Sequence, residues 1–498
     1  MSIFAKNVIK LTIGNVTAQV ISLAAIPIIT RIYSPSNYGV FGIYLSITTI
    51  LFYISTFHFH RTIMLPVCKN DAINLLGLSL LSVIAFSLLL ALVVILINLF
   101  DLLPKIWFKE GIRSYICFVP LGVLVQGCAL SFSFWAIRSK MFTNMAIARV
   151  TESITDRGIV LGFGFFSHTG AIGLIGGRIV GPLVAQCYLV QRAFSNEIKL
   201  IWKSLSFTEM KRLSLRYREF HVFSALSMLV SRSSTEIPFL LIAFFFLSKI
   251  AGFYALAMRV TNMPMMLVGD AISNVLLQRV TEDPLKGQGL AMDTIRLFGY
   301  LIYLILPPTL ILMIFGEILF GIVFGSEWSD AGTLAQILSL SFLFTFLYRP
   351  LSVLFDAFER QKQRFVFTSL LLFMSASTII GAKYISGSIH IVLLSLVAIT
   401  CVIYAIIYFY LFGLLRVSAR RVLVVFVSKI AVLTPLIFGL PLSKFLLHKS
   451  HMIAAILLIC LIIMQGFIVL SFEPLLKKEV VSLFVVVSNK IFNRGKQH

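Results

Sequence analysis

Ionisable residues fall inside long apolar runs of this chain, among them Glu152, Asp156, Arg157, Arg178, Arg232, Glu236, Arg259 and Asp270. An ionisable side chain at mid-bilayer costs several kcal/mol, so each must face an aqueous cavity or a partner. Guanidinium forks match phosphate oxygens in pairs. Arg232, Arg259 and Arg178 converging on one cavity would therefore hold a phosphate or pyrophosphate group. The competing account is a set of intramembrane ion pairs that fix helix packing, with nothing moving past them.

Spacing sorts these residues further. Arg232 and Glu236 are one helical turn apart, so they share a face and can pair. Arg259 and Asp270 are about three turns apart on one continuous helix, again on one face and roughly 16 Å from each other. Glu152 and Asp156 share a face from which Arg157 points away by about 100°, and these three are expected to be structural. Glu236 and Asp270 are in addition candidates for proton or sodium coupling. Arg31 and Arg61, at the two ends of the first hairpin, can either meet an incoming anion or anchor helix ends in headgroups. His58 and His60 next to Arg61 form a His-x-His pair without a third ligand nearby, so an interface pair is expected and no metal site.

Helices must carry these groups. Of the 498 residues, 59% are hydrophobic and 12% charged, and the mean hydropathy is +0.98. A soluble domain has about 25% charged residues, so this is an all-α polytopic membrane protein. At about 20 apolar residues per crossing, fourteen transmembrane spans are expected. They fall at 8–30, 38–60, 74–99, 114–137, 146–167, 171–191, 219–247, 252–276, 297–324, 331–355, 365–386, 389–414, 422–446 and 452–471. The first is expected to be a retained helix rather than a cleaved signal.

The net charge of +22 would suit nucleic acid only if clustered on a solvated domain, and no such domain is expected. Most of the 42 basic residues instead lie in the N-terminus, the even-numbered loops and the tail. By the positive-inside rule both termini are expected in the cytoplasm. The largest basic loop divides the chain into an N-lobe (1–192, spans 1–6), a cytoplasmic linker (193–218) and a C-lobe (219–415, spans 7–12). Spans 13 and 14 (416–475) and a basic tail (476–498) follow. The six cysteines have no metal-ligand spacing, and no phosphate-cradling Gly-x-x-x-x-Gly-Lys-[Ser/Thr] loop is present, so no built-in ATPase is expected. "GLIGGR" (173–178) suits close helix packing.

Two stretches resemble each other: "RIYSPSNYGVFGIY" after span 1 and "FFLSKIAGFYALAMRV" after span 7, aligned with Gly39 against Gly252 and Phe41 against Tyr254. Repeats at half-chain spacing are a plan of secondary transporters. Segment 26–44, with Arg31, Tyr38, Gly39 and Phe41, resembles the first hairpin of the Wzx-type O-antigen and polysaccharide repeat-unit flippases. These belong to the multidrug/oligosaccharidyl-lipid/polysaccharide (MOP) exporter superfamily. "KIAGFYALAMR" (249–259), "VFGSEWSDAGTLAQILSLS" (323–341) and "LFDAFERQKQ" (354–363) are similar to further turns of that family. The chain departs from it in span 7, where Glu236 has no basic neighbour.

The resemblance implies two six-helix lobes of MATE/MOP type plus two C-terminal helices, in a bacterial inner membrane. It also implies a flippase that is not an enzyme and has no catalytic residues. Its substrate would be an undecaprenyl-pyrophosphate-linked oligosaccharide, moved from the cytoplasmic to the periplasmic leaflet by alternating access. Arg232, Arg259, Arg178, Arg31 and Arg61 are then the candidate cavity residues. Membrane lipids and the polymerase and chain-length regulator of the same pathway are the implied partners, and no metal or cofactor is implied beyond a possible ion gradient. A drug/cation antiporter of MATE type is the alternative, but it should have an acidic or aromatic cavity. A membrane polysaccharide polymerase or ligase would need a sizeable outer loop, and the longest here is about 100–113.

Overall fold

A computed structural model of the chain describes residues 3–100, 112–166, 170–194, 204–263, 265, 269–282 and 288–447. Among the described residues the regular elements are all helices, as a chain crossing lipid requires, because each backbone polar group must be satisfied within its own segment. Among the described residues, ten helices are long and apolar enough to cross a membrane. The pair Ala419–Val432 and Thr434–Lys444, bent by 45°, makes an eleventh candidate. Span 5 forms one helix, Phe142–Phe166, and its ionisable residues lower its hydropathy. Span 14 and the tail lie outside the described residues.

Span 8 is described in two parts. The helix that starts at Ser248 ends at Thr261, and a further helix begins at Asp270. Residues between Met263 and Asp270 are described only in part, so the face that Arg259 and Asp270 were expected to share lies outside the described residues.

The turn after span 1 is built by its own chemistry. Ser34 takes an extended conformation and its side chain accepts from the Asn37 N–H, while Pro35 occupies the first turn, where its missing N–H is not needed. The helix Pro35–Ser55 (span 2) follows. At its far end Phe57 and His58 adopt φ of 41° and 61°, which breaks the helix before the short Phe59–Thr62 segment.

The helices form two compact units. The first comprises Met1–Leu267, Glu317–Leu338 and Arg360–Ile403, and the second Val268–Gly316, Ser339–Glu359 and Tyr404–His498. In the first, Ile63, Ala72, Ile73, Leu75, Leu76, Trp135 and Leu213 make one buried cluster. Its Leu213 comes from the amphipathic linker helix Phe207–Arg216, whose Met210 is also buried. Asn74 fastens this helix, donating to Ser204 O and accepting from Ser206 N, both at 2.9 Å. On the outer face of the linker helix Arg212 meets Asp71 and Glu209. In the second unit Phe298 is packed edge-on by Tyr408 at 5.7 Å and Phe412 at 5.3 Å.

Candidate functional site

Span 2 is the spine of the site, which lies wholly within the first unit. Tyr38, Ser46 and Tyr53 are spaced by about two turns each, so all three point within about 80° of one another along a helix rising 1.5 Å per residue. Each meets an ionisable residue singled out by the sequence. Arg259 donates from Nη1 to the Tyr38 hydroxyl at 3.0 Å. Ser46 Oγ donates to Glu236 Oε2 at 2.6 Å. Arg232 donates from Nη2 to the Tyr53 hydroxyl at 2.8 Å, with its guanidinium carbon 4.4 Å from that ring's centroid. Arg232 and Glu236 thus share a face of span 7 (Arg218–Phe245), and each reaches across to span 2.

Two glycines make the first contact possible. A side chain on Gly39 would place its Cβ 1.9 Å from Ser248 O, and one on Gly252 would place it 1.8 Å from Pro35 O. The backbones of span 2 and the Ser248–Thr261 helix therefore touch at residues that correspond in the two repeated stretches. Trp328 closes over the same place: its ring packs edge-on against Tyr38 at 5.5 Å and Phe253 at 6.1 Å, and its Nε1 donates to Thr30 O at 2.8 Å.

A second set of charges comes from spans 5 and 6. Arg178, on Ile172–Phe194, lies 3.7 Å from Glu152, which also holds Arg149 at 3.2 Å. Arg157 folds back onto its neighbour Asp156 at 3.2 Å and feels the charges of both Arg259 and Arg178. Span 6 comes this close because of its glycines. A Cβ on Gly177 would stand 2.6 Å from Asp156 O and Oδ1, and one on Gly181 would stand 2.9 Å from Asp156 Cβ.

The structure thus brings Arg157, Arg178 and Arg259 together, with Arg232 further along span 2. The Nε atoms of Arg157, Arg178 and Arg232 are buried donors without a hydrogen-bond acceptor. Arg31 and Arg61 are exposed. They lie in the last turn of Ile26–Ile32 and in Phe59–Thr62, beyond opposite ends of span 2. Asp270 opens the helix Asp270–Glu282, and its side chain lies outside the described residues.

Sequence reasoning set Arg157 aside because adjacent residues on a helix diverge; the length of an arginine side chain overrides that rule. It also passed over Ser46 and Tyr53. Both lie on the same stretch of the helix as Tyr38, spaced by seven or eight residues, among other polar residues such as Tyr44, Thr48 and Thr49.

Residues 28–333, more than half of the chain, match the family model described as "Polysaccharide biosynthesis protein". The chain belongs to this family. Its architecture is that of the MOP transporters. The structure of a lipid II flippase MurJ, in an inward closed conformation, superposes with a TM-score of 0.62 at 14% identity, covering 93% of this chain and 99% of that one. A MOP superfamily transporter from Pyrococcus furiosus, described by the reverse polarity of its binding pocket, gives 0.55 at 13% identity over 83% and 97%. A single-residue mutant of the Vibrio cholerae MATE transporter VcmN gives 0.51 at 14% identity over 83% and 96%. No curated protein sequence matches the chain. At such identities the likeness is one of fold.

Proposed function

We propose that this member of the polysaccharide biosynthesis family is a flippase for an undecaprenyl-pyrophosphate-linked oligosaccharide, an O-antigen or related repeat unit. In this reading it accepts the substrate at the cytoplasmic leaflet of the bacterial inner membrane and presents it at the periplasmic leaflet. Two six-helix lobes, 1–192 and 219–415, alternate access to the site, the termini are cytoplasmic, and the polyprenyl tail stays in lipid. The polymerase and chain-length regulator act next on the same substrate.

One observation carries the reading: half-buried guanidinium groups gathered among membrane helices, whose Nε donors at Arg157, Arg178 and Arg232 are buried and still to be satisfied. Each such group is costly to bury. Phosphate oxygens supply the acceptors and the charge that this arrangement calls for. Arg259 and Arg178 hold the pyrophosphate, Arg232 with Tyr53 lies about 22 Å further along span 2 from Tyr38 at 1.5 Å per residue, and Arg31 and Arg61 meet the anion at the two mouths. A drug/cation antiporter fits less well, because a cationic substrate would be repelled here.

Glu236 is the candidate coupling group. Its bond to Ser46 ties span 7 to span 2, so taking up a proton or sodium ion there changes a contact between moving helices; Asp270 is the second candidate.

The test is complementation. The chain and its Arg259→Ala and Arg232→Ala variants are expressed at matched levels in a bacterium lacking its own repeat-unit flippase but making the matching lipid-linked unit. Surface glycan restored by the wild type and lost in either variant supports the reading. No restoration by the wild type contradicts it.

A further inference from the structure

Three cations in one low-dielectric site repel one another, and the strength of that repulsion is set by where the counter-charges stand. Two carboxylates are close. Glu152 is committed to two partners, Arg149 at 3.2 Å and Arg178 at 3.7 Å. Asp156, one turn on, is the more deeply buried, with 9% of its side chain exposed against 20% for Glu152.

Asp156 is placed differently from an ordinary structural partner. Span 6 packs directly on it at Gly177 and Gly181, which fixes the carboxylate in position. It bonds Arg157 at 3.2 Å. Arg157 is its immediate neighbour in sequence, and adjacent helical residues point about 100° apart, so the guanidinium reaches it only by folding back along its own helix. That conformation leaves the Arg157 Nε buried without an acceptor. A long side chain held in this way can swing to another acceptor, while Asp156 stays where the glycines hold it.

Resting on the cavity reading above, we propose that Asp156 is an internal competitor for the substrate's phosphate oxygens. It contends with them for Arg157, so it sets how tightly the anionic head group is held and how readily it leaves. Asp156 is in this role a positioning residue, and Arg157 is a fourth guanidinium of the binding site. A cavity of arginines alone would bind a pyrophosphate too firmly to release it on the far side. A fixed carboxylate beside a movable arginine lowers that affinity without removing the attraction.

The experiment measures binding of undecaprenyl pyrophosphate, without its glycan, to the full-length protein in lipid nanodiscs, alongside surface glycan in the complementation strain. Asp156→Asn keeps the shape against Gly177 and Gly181 and removes the charge. It is expected to bind the probe about tenfold more tightly, the scale of one unmasked charge at short range, while surface glycan falls. Arg157→Gln is expected to bind about tenfold more weakly, and the double variant to return to within about threefold of the wild type. A merely structural Asp156 would lower the unfolding temperature without tightening binding. If Asp156→Asn binds no more tightly than the wild type while Arg259→Gln loses binding, the competitor role is overturned and the cavity reading stands. If the wild type itself does not bind the probe, the cavity reading fails and takes the proposal with it. Should Asp156→Asn not fold, Arg157→Gln decides alone, and unchanged affinity there overturns the proposal.

Discussion

Gly39 and Gly252 lie against each other at a helix crossing, each placed so that a side chain on it would strike the other helix's carbonyl, Ser248 O or Pro35 O. The relation is reciprocal, because each carbonyl belongs to the residue four before the facing glycine. Two copies of one sequence pattern thus meet face to face, and the contact brings Arg259 to Tyr38.

Alanine at either glycine is expected to be disruptive, since the obstacle is backbone and cannot rotate aside. Overpacking of this kind costs about 1–3 kcal/mol, read as a lower unfolding temperature of the purified protein. Gly39→Ala and Gly252→Ala proteins that melt with the wild type would show that the helices separate without cost.

Trp328 offers a graded test of the cover over that crossing. Trp328→Phe removes the bond to Thr30 O and leaves an acceptor buried, a loss of about 1–3 kcal/mol. Trp328→Ala also empties the space beside Tyr38 and Phe253, costing about 3–5 kcal/mol. Equal unfolding temperatures for the two variants would contradict this division.

Tyr53 holds Arg232 in two ways, by its hydroxyl and by its ring. Tyr53→Phe keeps the cation–π contact, worth about 0.5–2 kcal/mol, and is expected to retain most surface glycan in the complementation assay. Tyr53→Leu loses both contacts and should behave as Arg232→Ala does. A Phe variant as impaired as the Leu variant would mean that the hydroxyl alone positions Arg232.

Glu236→Gln preserves an acceptor for Ser46 and removes the charge. Transport measured with imposed proton or sodium gradients is expected to lose its dependence on the gradient while some exchange persists. A variant that answers the gradients as the wild type does would remove Glu236 from coupling.

Much of this was legible in the sequence, and the limits have physical causes. Apolar length located most helices because lipid leaves the backbone no other choice. The Gly39–Gly252 correspondence was visible as a repeat, but nothing in a repeat says that its copies touch. "GLIGGR" read as a packing surface, and Gly177 does press on Asp156; that the partner is a carboxylate among arginines depends on how spans 5 and 6 meet. Helical arithmetic placed Arg232 and Glu236 on one face, yet it dismissed Arg157 because it follows Cβ directions and not the reach of a four-bond side chain.

The central claim is that half-buried arginines carry an anionic lipid-linked glycan across the membrane. Its most direct test places the purified full-length protein in vesicles with a fluorescent undecaprenyl-pyrophosphate-linked oligosaccharide and follows the sugar's accessibility to a quencher added outside. The account predicts translocation well above protein-free vesicles, falling about tenfold or more in Arg259→Gln as a charge-assisted contact is lost. Translocation no faster than in protein-free vesicles, or equal rates for the wild type and Arg259→Gln, would contradict it.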